Sequence, residues 1–236
     1  MWRSNKLLIL SILVNIALIG AMFFIVQRLG GLTYMIHRLN NKDIAGIYEH
    51  RKGYFNMLPK KKGGIVFLGD SLTEYGQWAE LTQNDKVLNR GIAGDTTPNL
   101  MRRLDHIVEL APTKIFLMIG VNDFLFFDRH DILKNYKILI EKLRTDLPNT
   151  QLYLQSLLPV NPTVRDMAFD NGEIRLLNQS IQDYAATKAL PYIAIHQSLT
   201  DEAGNLDKQY TRDGVHLNGS AYEIWYNNIE KYLEIK

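Results

Sequence analysis

The sequence predicts an α/β body built on a parallel β-sheet, preceded by a membrane-spanning helix. Three observations carry this. From Gly64 onward, five short apolar runs alternate with longer amphipathic stretches, as a sheet covered on both faces requires. Short polar motifs follow the first three runs, at the carboxyl ends where parallel sheets gather their functional groups. Residues 7–26 contain no charged side chain.

That first segment, Leu7 to Val26, is interrupted only by Ser11, Asn15 and Gly20. At about 1.5 Å per residue its helix would cross about 30 Å of hydrocarbon. Trp2, Arg3 and Lys6 on one flank, with Gln27 and Arg28 on the other, match interfacial anchors. A cleaved signal peptide would be shorter and end at a small-x-small site, which Phe23 to Arg28 does not offer. Residues 1–28 are therefore read as an uncleaved, single-pass anchor. Arg3 and Lys6 nearly balance Arg28, Arg38 and Lys42 across it. The body is placed outside the cytoplasm, because large domains translocate largely regardless of charge.

Residues 29–62 read as a basic stalk. Ile44, Ile47, Tyr48 and Phe55 have helical spacing between Asp43 and Leu58, and Pro59 ends the pattern. Lys60-Lys61-Lys62-Gly63-Gly64 then forms a solvated loop into the first strand. Residues 1–62 hold ten Lys/Arg against two Asp/Glu, whereas residues 63–236 hold seventeen against twenty-three. A mildly acidic body excludes nucleic acid as a partner, since that needs a basic face on the functional domain. The chain has no cysteine, which removes disulfides, thiol nucleophiles, Cys-ligated metals and a lipid-modified lipoprotein anchor.

Within the body, 63–236, the strands are expected at Ile65–Leu68, Val87–Asn89, Ile115–Ile119, Leu152–Gln155 and Tyr192–Ile195. Helices are expected over Pro98–Glu109, Asp131–Leu147, Glu173–Lys188 and Ser220–Leu233. Gly69-Asp70-Ser71-Leu72 follows strand one, where Asp70 or Ser71 alone would be an ordinary helix cap. Gly94-Asp95-Thr96-Thr97 follows strand two, and Gly120-Val121-Asn122-Asp123 follows strand three. Asp213-Gly214-Val215-His216 sits in a loop near the end of the chain.

Together these motifs supply acyl-transfer chemistry. Ser71 is the candidate nucleophile, His216 the general base, and Asp213 the carboxylate that sets the ring tautomer. Backbone N–H groups of Ser71 and Gly94, with the Asn122 amide, are the candidate oxyanion donors. The remaining histidines belong to the stalk (His37, His50) or read as surface or helix-end residues (His106, His130, His196).

Gly69-Asp70-Ser71-Leu72, Gly94 in Gly-Asp-Thr-Thr, Gly120-Val121-Asn122-Asp123 and Asp213-Gly-Val-His216 resemble, in order, the serine, glycine, asparagine and histidine blocks of the SGNH/GDSL hydrolase superfamily. Asn89-Arg-Gly-Ile-Ala-Gly-Asp-Thr-Thr97 is similar to the branch of platelet-activating-factor acetylhydrolase catalytic subunits. The resemblance covers Gly64 to the C-terminus. It implies a three-layer α/β/α, flavodoxin-like fold with a five-stranded parallel sheet. It also implies serine esterase or lipase activity on short acyl groups, with neither metal nor cofactor. The ester could be carried on a small molecule, a lipid or an acylated carbohydrate.

Three rivals are weighed against it. An acyltransferase would use the same residues. A membrane-tethered binding protein would have no use for Ser, Gly, Asn, Asp and His together. A metal-dependent phosphoesterase on Asp70, Asp95, Asp123 and Asp213 would have one motif histidine, fewer than two-metal sites commonly use. The apolar stretches Leu157–Pro162 and Phe124–Phe127 are candidate walls for an acyl pocket; the apolar run equally reads as packing or as a face towards the membrane.

Overall fold

The computed structural model describes residues 11–16, 18–21, 24 and 42–233. The chain divides into two compact units, Met1–Ala45 and Gly46–Lys236. In the first, residues 11–16, 18–21 and 24 all lie in α-helix with exposed side chains. The rest of the expected span over 7–26, its flanks at residues 1–6 and 27–28, and residues 29–41 of the stalk lie outside the described residues. Among the described residues, no helix is long and apolar enough to cross a membrane.

Helix α1 spans Lys42–Met57, and its residues from Gly46 on belong to the second unit. Its Phe55 is 3% exposed, stacks on His106 at 5.8 Å, and has the guanidinium groups of Arg51 (4.9 Å) and Arg90 (4.8 Å) over its ring. Tyr48 donates its hydroxyl to the Asn99 carbonyl at 3.0 Å. The compact body therefore begins at Gly46 and takes in the second half of the segment that composition marks as a stalk. Burial of one aromatic and two cation–π contacts attach what charge alone separates.

Five strands follow: β1 (Ile65–Gly69), β2 (Val87–Gly91), β3 (Lys114–Met118), β4 (Gln151–Gln155) and β5 (Tyr192–Ile193). All pair in parallel, in the order β2-β1-β3-β4-β5. Every residue of β1 is buried, so both faces of the sheet are covered. In-register Phe67, Phe116 and Tyr153 stack across β1, β3 and β4 at 5.0 and 4.7 Å. Trp78 stacks on Phe67 at 4.2 Å and meets Trp225 edge-on at 4.9 Å.

The connecting helices are α2 (Ser71–Glu74), α3 (Trp78–Leu81), α4 (Thr97–Met101), α5 (Leu104–Leu110), α6 (Arg129–Asp146), α7 (Asn171–Thr187) and α8 (Gly219–Ile229). Helix α6 packs beside both α4 and α7. Side-chain caps start most of them: Thr96, Asp128, Asp170 and Asn218 accept from N–H groups three residues on.

The structure departs from the sequence reading in three places. Helix α3 is not among the expected elements, and α2 is foreseen only as the helix that Asp70 or Ser71 would cap; each is one turn long, too short for hydrophobic periodicity to register. Strand β5 is two residues rather than four. The helix expected over Pro98–Glu109 is two helices, broken at Arg102–Arg103. There Arg103 turns its side chain into the body instead of continuing the helix.

Candidate active site

In the order β2-β1-β3-β4-β5 the chain steps outward from β1 to β2 and then back to β3. The crevice at the carboxyl ends of β1 and β3 is the topological switch point, where open parallel sheets bind ligands. Ser71 lies two residues beyond β1, Asn122 four beyond β3, and Gly94 three beyond β2.

Asp70 caps α2, accepting from Leu72 N–H at 3.0 Å, which puts Ser71 at the first helical position. The Ser71 hydroxyl lies 3.0 Å from His216 Nε2 across 145 residues of chain. His216 Nδ1 lies 2.6 Å from Asp213 Oδ2. A carboxylate only accepts, so Nδ1 carries the proton and Nε2 is left to accept from Ser71. The structure thus brings Ser71, His216 and Asp213 into one hydrogen-bonded line.

Asp213 also accepts the backbone N–H groups of His216 (2.8 Å) and Val215 (3.0 Å) through Oδ1. Burial pushes its carboxyl up, but these donors and the His216 ring outweigh it and hold the group at about 2. Asp213 is therefore an anion throughout the neutral range.

Gly214 makes the loop possible. Its φ is +83°, and a Cβ there would stand 2.8 Å from the Asn161 carbonyl. The Gly214 carbonyl in turn accepts from Asn161 N–H at 2.7 Å. Leu157, Leu158 and Val160 are buried in the core, so the stretch after β4 packs and braces this loop. Phe126 and Phe127 remain exposed.

On the opposite side, Gly94 has φ +76°. Among the described residues neither its N–H nor that of Ser71 has an acceptor within the chain. The Asn122 amide donates to the Asp95 carbonyl at 2.9 Å, which spends one of its two N–H bonds. Next to it, Asp123 accepts from the Thr97 backbone N–H at 3.0 Å and from the Thr97 hydroxyl. The loops after β2 and β3 are thereby tied together.

The carboxylates of the phosphoesterase reading are engaged elsewhere. Asp70, Asp95 and Asp123 are at most 1% exposed, and Asp213 serves His216. Among the described residues, no three His, Asp or Glu side chains are grouped to hold a metal ion. His106 and His196 are buried rather than at the surface, and His196 is the first residue of a 3-10 turn (His196–Leu199), so it is a helix-end residue; each ring has a polar neighbour inside the body.

A model of the GDSL-like lipase/acylhydrolase family matches residues 67–224, from within β1 to within α8. The chain belongs to that family. It is 29% identical over 218 residues to the N-acylneuraminate cytidylyltransferase of Escherichia coli O18:K1:H7, a match covering 86% of this chain and 49% of the relative. The chain thus spans about half the length of that relative. It is 24% identical over 169 residues to platelet-activating factor acetylhydrolase IB subunit alpha2 of Rattus norvegicus, covering 69% and 72%. A solved structure from Streptococcus pneumonia, provisionally named a platelet activating factor, superposes with a TM-score of 0.76 at 31% identity, covering 85% and 99%.

Several residues around this GDSL site escape a motif reading. The Asn89 amide bridges the carbonyls of Thr73, Glu74 and Gly76 at 2.9–3.0 Å, tying the segment after Ser71 to β2. Glu74 accepts from Ala93 N–H at 2.6 Å, beside Gly94, and pairs with Arg51 of α1 at 3.0 Å. The Tyr75 ring, largely exposed, tilts against the His216 ring at 5.1 Å. None of these contacts has a sequence signature, because each joins residues that the chain separates.

Proposed function

We propose that this GDSL-family chain is a serine ester hydrolase that removes short acyl groups, with acetyl first among them. One observation carries the reading: Ser71 Oγ lies 3.0 Å from a His216 nitrogen whose ring partner is the Asp213 anion. Ser71 attacks the acyl carbonyl while His216 Nε2 takes its proton, and the carbonyl oxygen becomes an oxyanion. The N–H groups of Ser71 and Gly94 and the second N–H of Asn122 receive that charge. His216 then protonates the leaving alcohol, and the acyl group stays on Ser71. Water, losing its proton to His216, releases the acid and restores the serine.

Hydrolysis rather than transfer is supported by the matching family, whose description is lipase/acylhydrolase. The acetyl preference is supported by the rat relative, an acetylhydrolase. The alcohol side is proposed to be an acylated carbohydrate or a lipid. We further propose that residues 7–26 tether the body to a membrane with the site outside the cytoplasm. The uncharged run and its helical described residues support this.

The test is hydrolysis of p-nitrophenyl esters of rising chain length, with acetate and propionate fastest. Ser71→Ala should abolish turnover and labelling by a fluorophosphonate while leaving the fold intact; undiminished turnover overturns the assignment. Protease protection in closed vesicles tests the topology.

A further inference from the structure

We propose that Arg103 is the positioning residue of the oxyanion hole, a role that rests on the ester-hydrolase reading above. Its side chain is 2% exposed. Nε and Nη2 both face Asp95 Oδ2, at 2.8 and 2.7 Å. Nη1 donates to the Arg90 carbonyl at 3.0 Å, and Nη2 to the Gly69 carbonyl at 3.1 Å. One planar group thus fastens the last residue of β1, the penultimate residue of β2 and the loop after β2.

Each proposed donor hangs from one of these points. Ser71 is two residues past Gly69, and Gly94 immediately precedes Asp95. The Asn122 amide is held by the carbonyl of Asp95 itself at 2.9 Å. The three donors come from the ends of three different strands, and Arg103 links their supports. Oxyanion donors must sit about 2.7–3.1 Å from the developing charge, and misplacement by about 1 Å costs about 10² in rate. A guanidinium fits this task because its donors lie in a fixed fork, whereas an ammonium is a single point charge. The interruption between α4 and α5 fits the same account, since the chain leaves the helix where Arg103 turns inward.

Arg103→Lys in the full chain tests this. The ammonium keeps the buried Asp95 paired but cannot reach all three oxygens. With p-nitrophenyl acetate, and sites titrated by a fluorophosphonate, kcat per titrated site should fall about 10–10²-fold, with KM within about threefold. A role in folding alone would lower the number of titratable sites and leave kcat per site unchanged. Asn122→Ala should cost about 10²–10³ in the native background but less than about tenfold on top of Arg103→Lys. The Asp95→Asn/Arg103→Gln double variant, which removes both buried charges together, should show the same pattern and decides the matter if Arg103→Lys does not fold. Wild-type kcat per site, or losses that multiply in full, overturn the proposal. If Ser71→Ala keeps its activity, the hydrolase reading falls. If Ser71→Ala is inert while Arg103→Lys turns over normally, only the role of Arg103 falls.

Discussion

The Asp213 carboxylate meets His216 twice, once at the ring Nδ1 (2.6 Å) and once at the backbone N–H (2.8 Å). The double contact fixes both the tautomer of the ring and the position of the loop that carries it. Asp213→Asn would present an amide that can keep the backbone contact while turning an N–H towards Nδ1. That reverses the tautomer and aims an N–H at Ser71. We predict a fall in kcat of about 10²–10⁴ with the fold retained. A kcat within tenfold of wild type would show that the carboxylate does not set the tautomer.

Gly214 makes a separate prediction about the same loop. Its left-handed φ and the 2.8 Å approach to the Asn161 carbonyl leave no room for a methyl group. Gly214→Ala should cost about 1–3 kcal/mol of stability and should lower kcat, because Asp213 and His216 move with the loop. Thermal melting and p-nitrophenyl acetate turnover read the two effects; a variant unchanged in both would refute the constraint.

Asp70 predicts how stability depends on pH. Burial pushes its carboxyl up to about 7, helped by the charges of Asp95 and Asp123 and opposed by the Leu72 N–H. The unfolded chain releases this proton near pH 4. Between about 4 and 7 the folded state therefore binds more protons than the unfolded state, so stability is lost as pH rises through that window. Asp123, raised by burial to about 6, acts in the same direction. Asp213, held at about 2, contributes stability that is lost only in acid below this range. Denaturant unfolding should show stability declining from pH 5 to pH 8, by less in Asp70→Asn. Identical slopes for the two proteins would contradict the raised Asp70.

The positions of the strands along the chain, the helices α6 to α8 and the four site motifs were legible because each is a local pattern. β1 reads as a strand from four consecutive apolar residues, and α6 to α8 read from apolar residues at helical spacing. Where periodicity failed, a long-range contact had overridden it. Pro98–Glu109 has helical spacing throughout, yet Arg103 breaks it to reach carbonyls on β1 and β2. Arg103 lies three residues after Leu100 and one before Leu104, on the face that buries both. A cation on that face was the available signal.

By itself, then, the sequence determined the α/β class, the absence of cysteine from this chain, the residue types of the candidate site and their places after the strands. These follow from side-chain chemistry and short spacings along one chain. Only the tertiary structure decided that Ser71 and His216 meet across 145 residues, that Asp95 and Arg103 are buried together, and that α1 from Gly46 on belongs with the body. Those outcomes depend on which distant groups are desolvated side by side. Burial and hydrogen bonding between elements set that, and no local pattern encodes it.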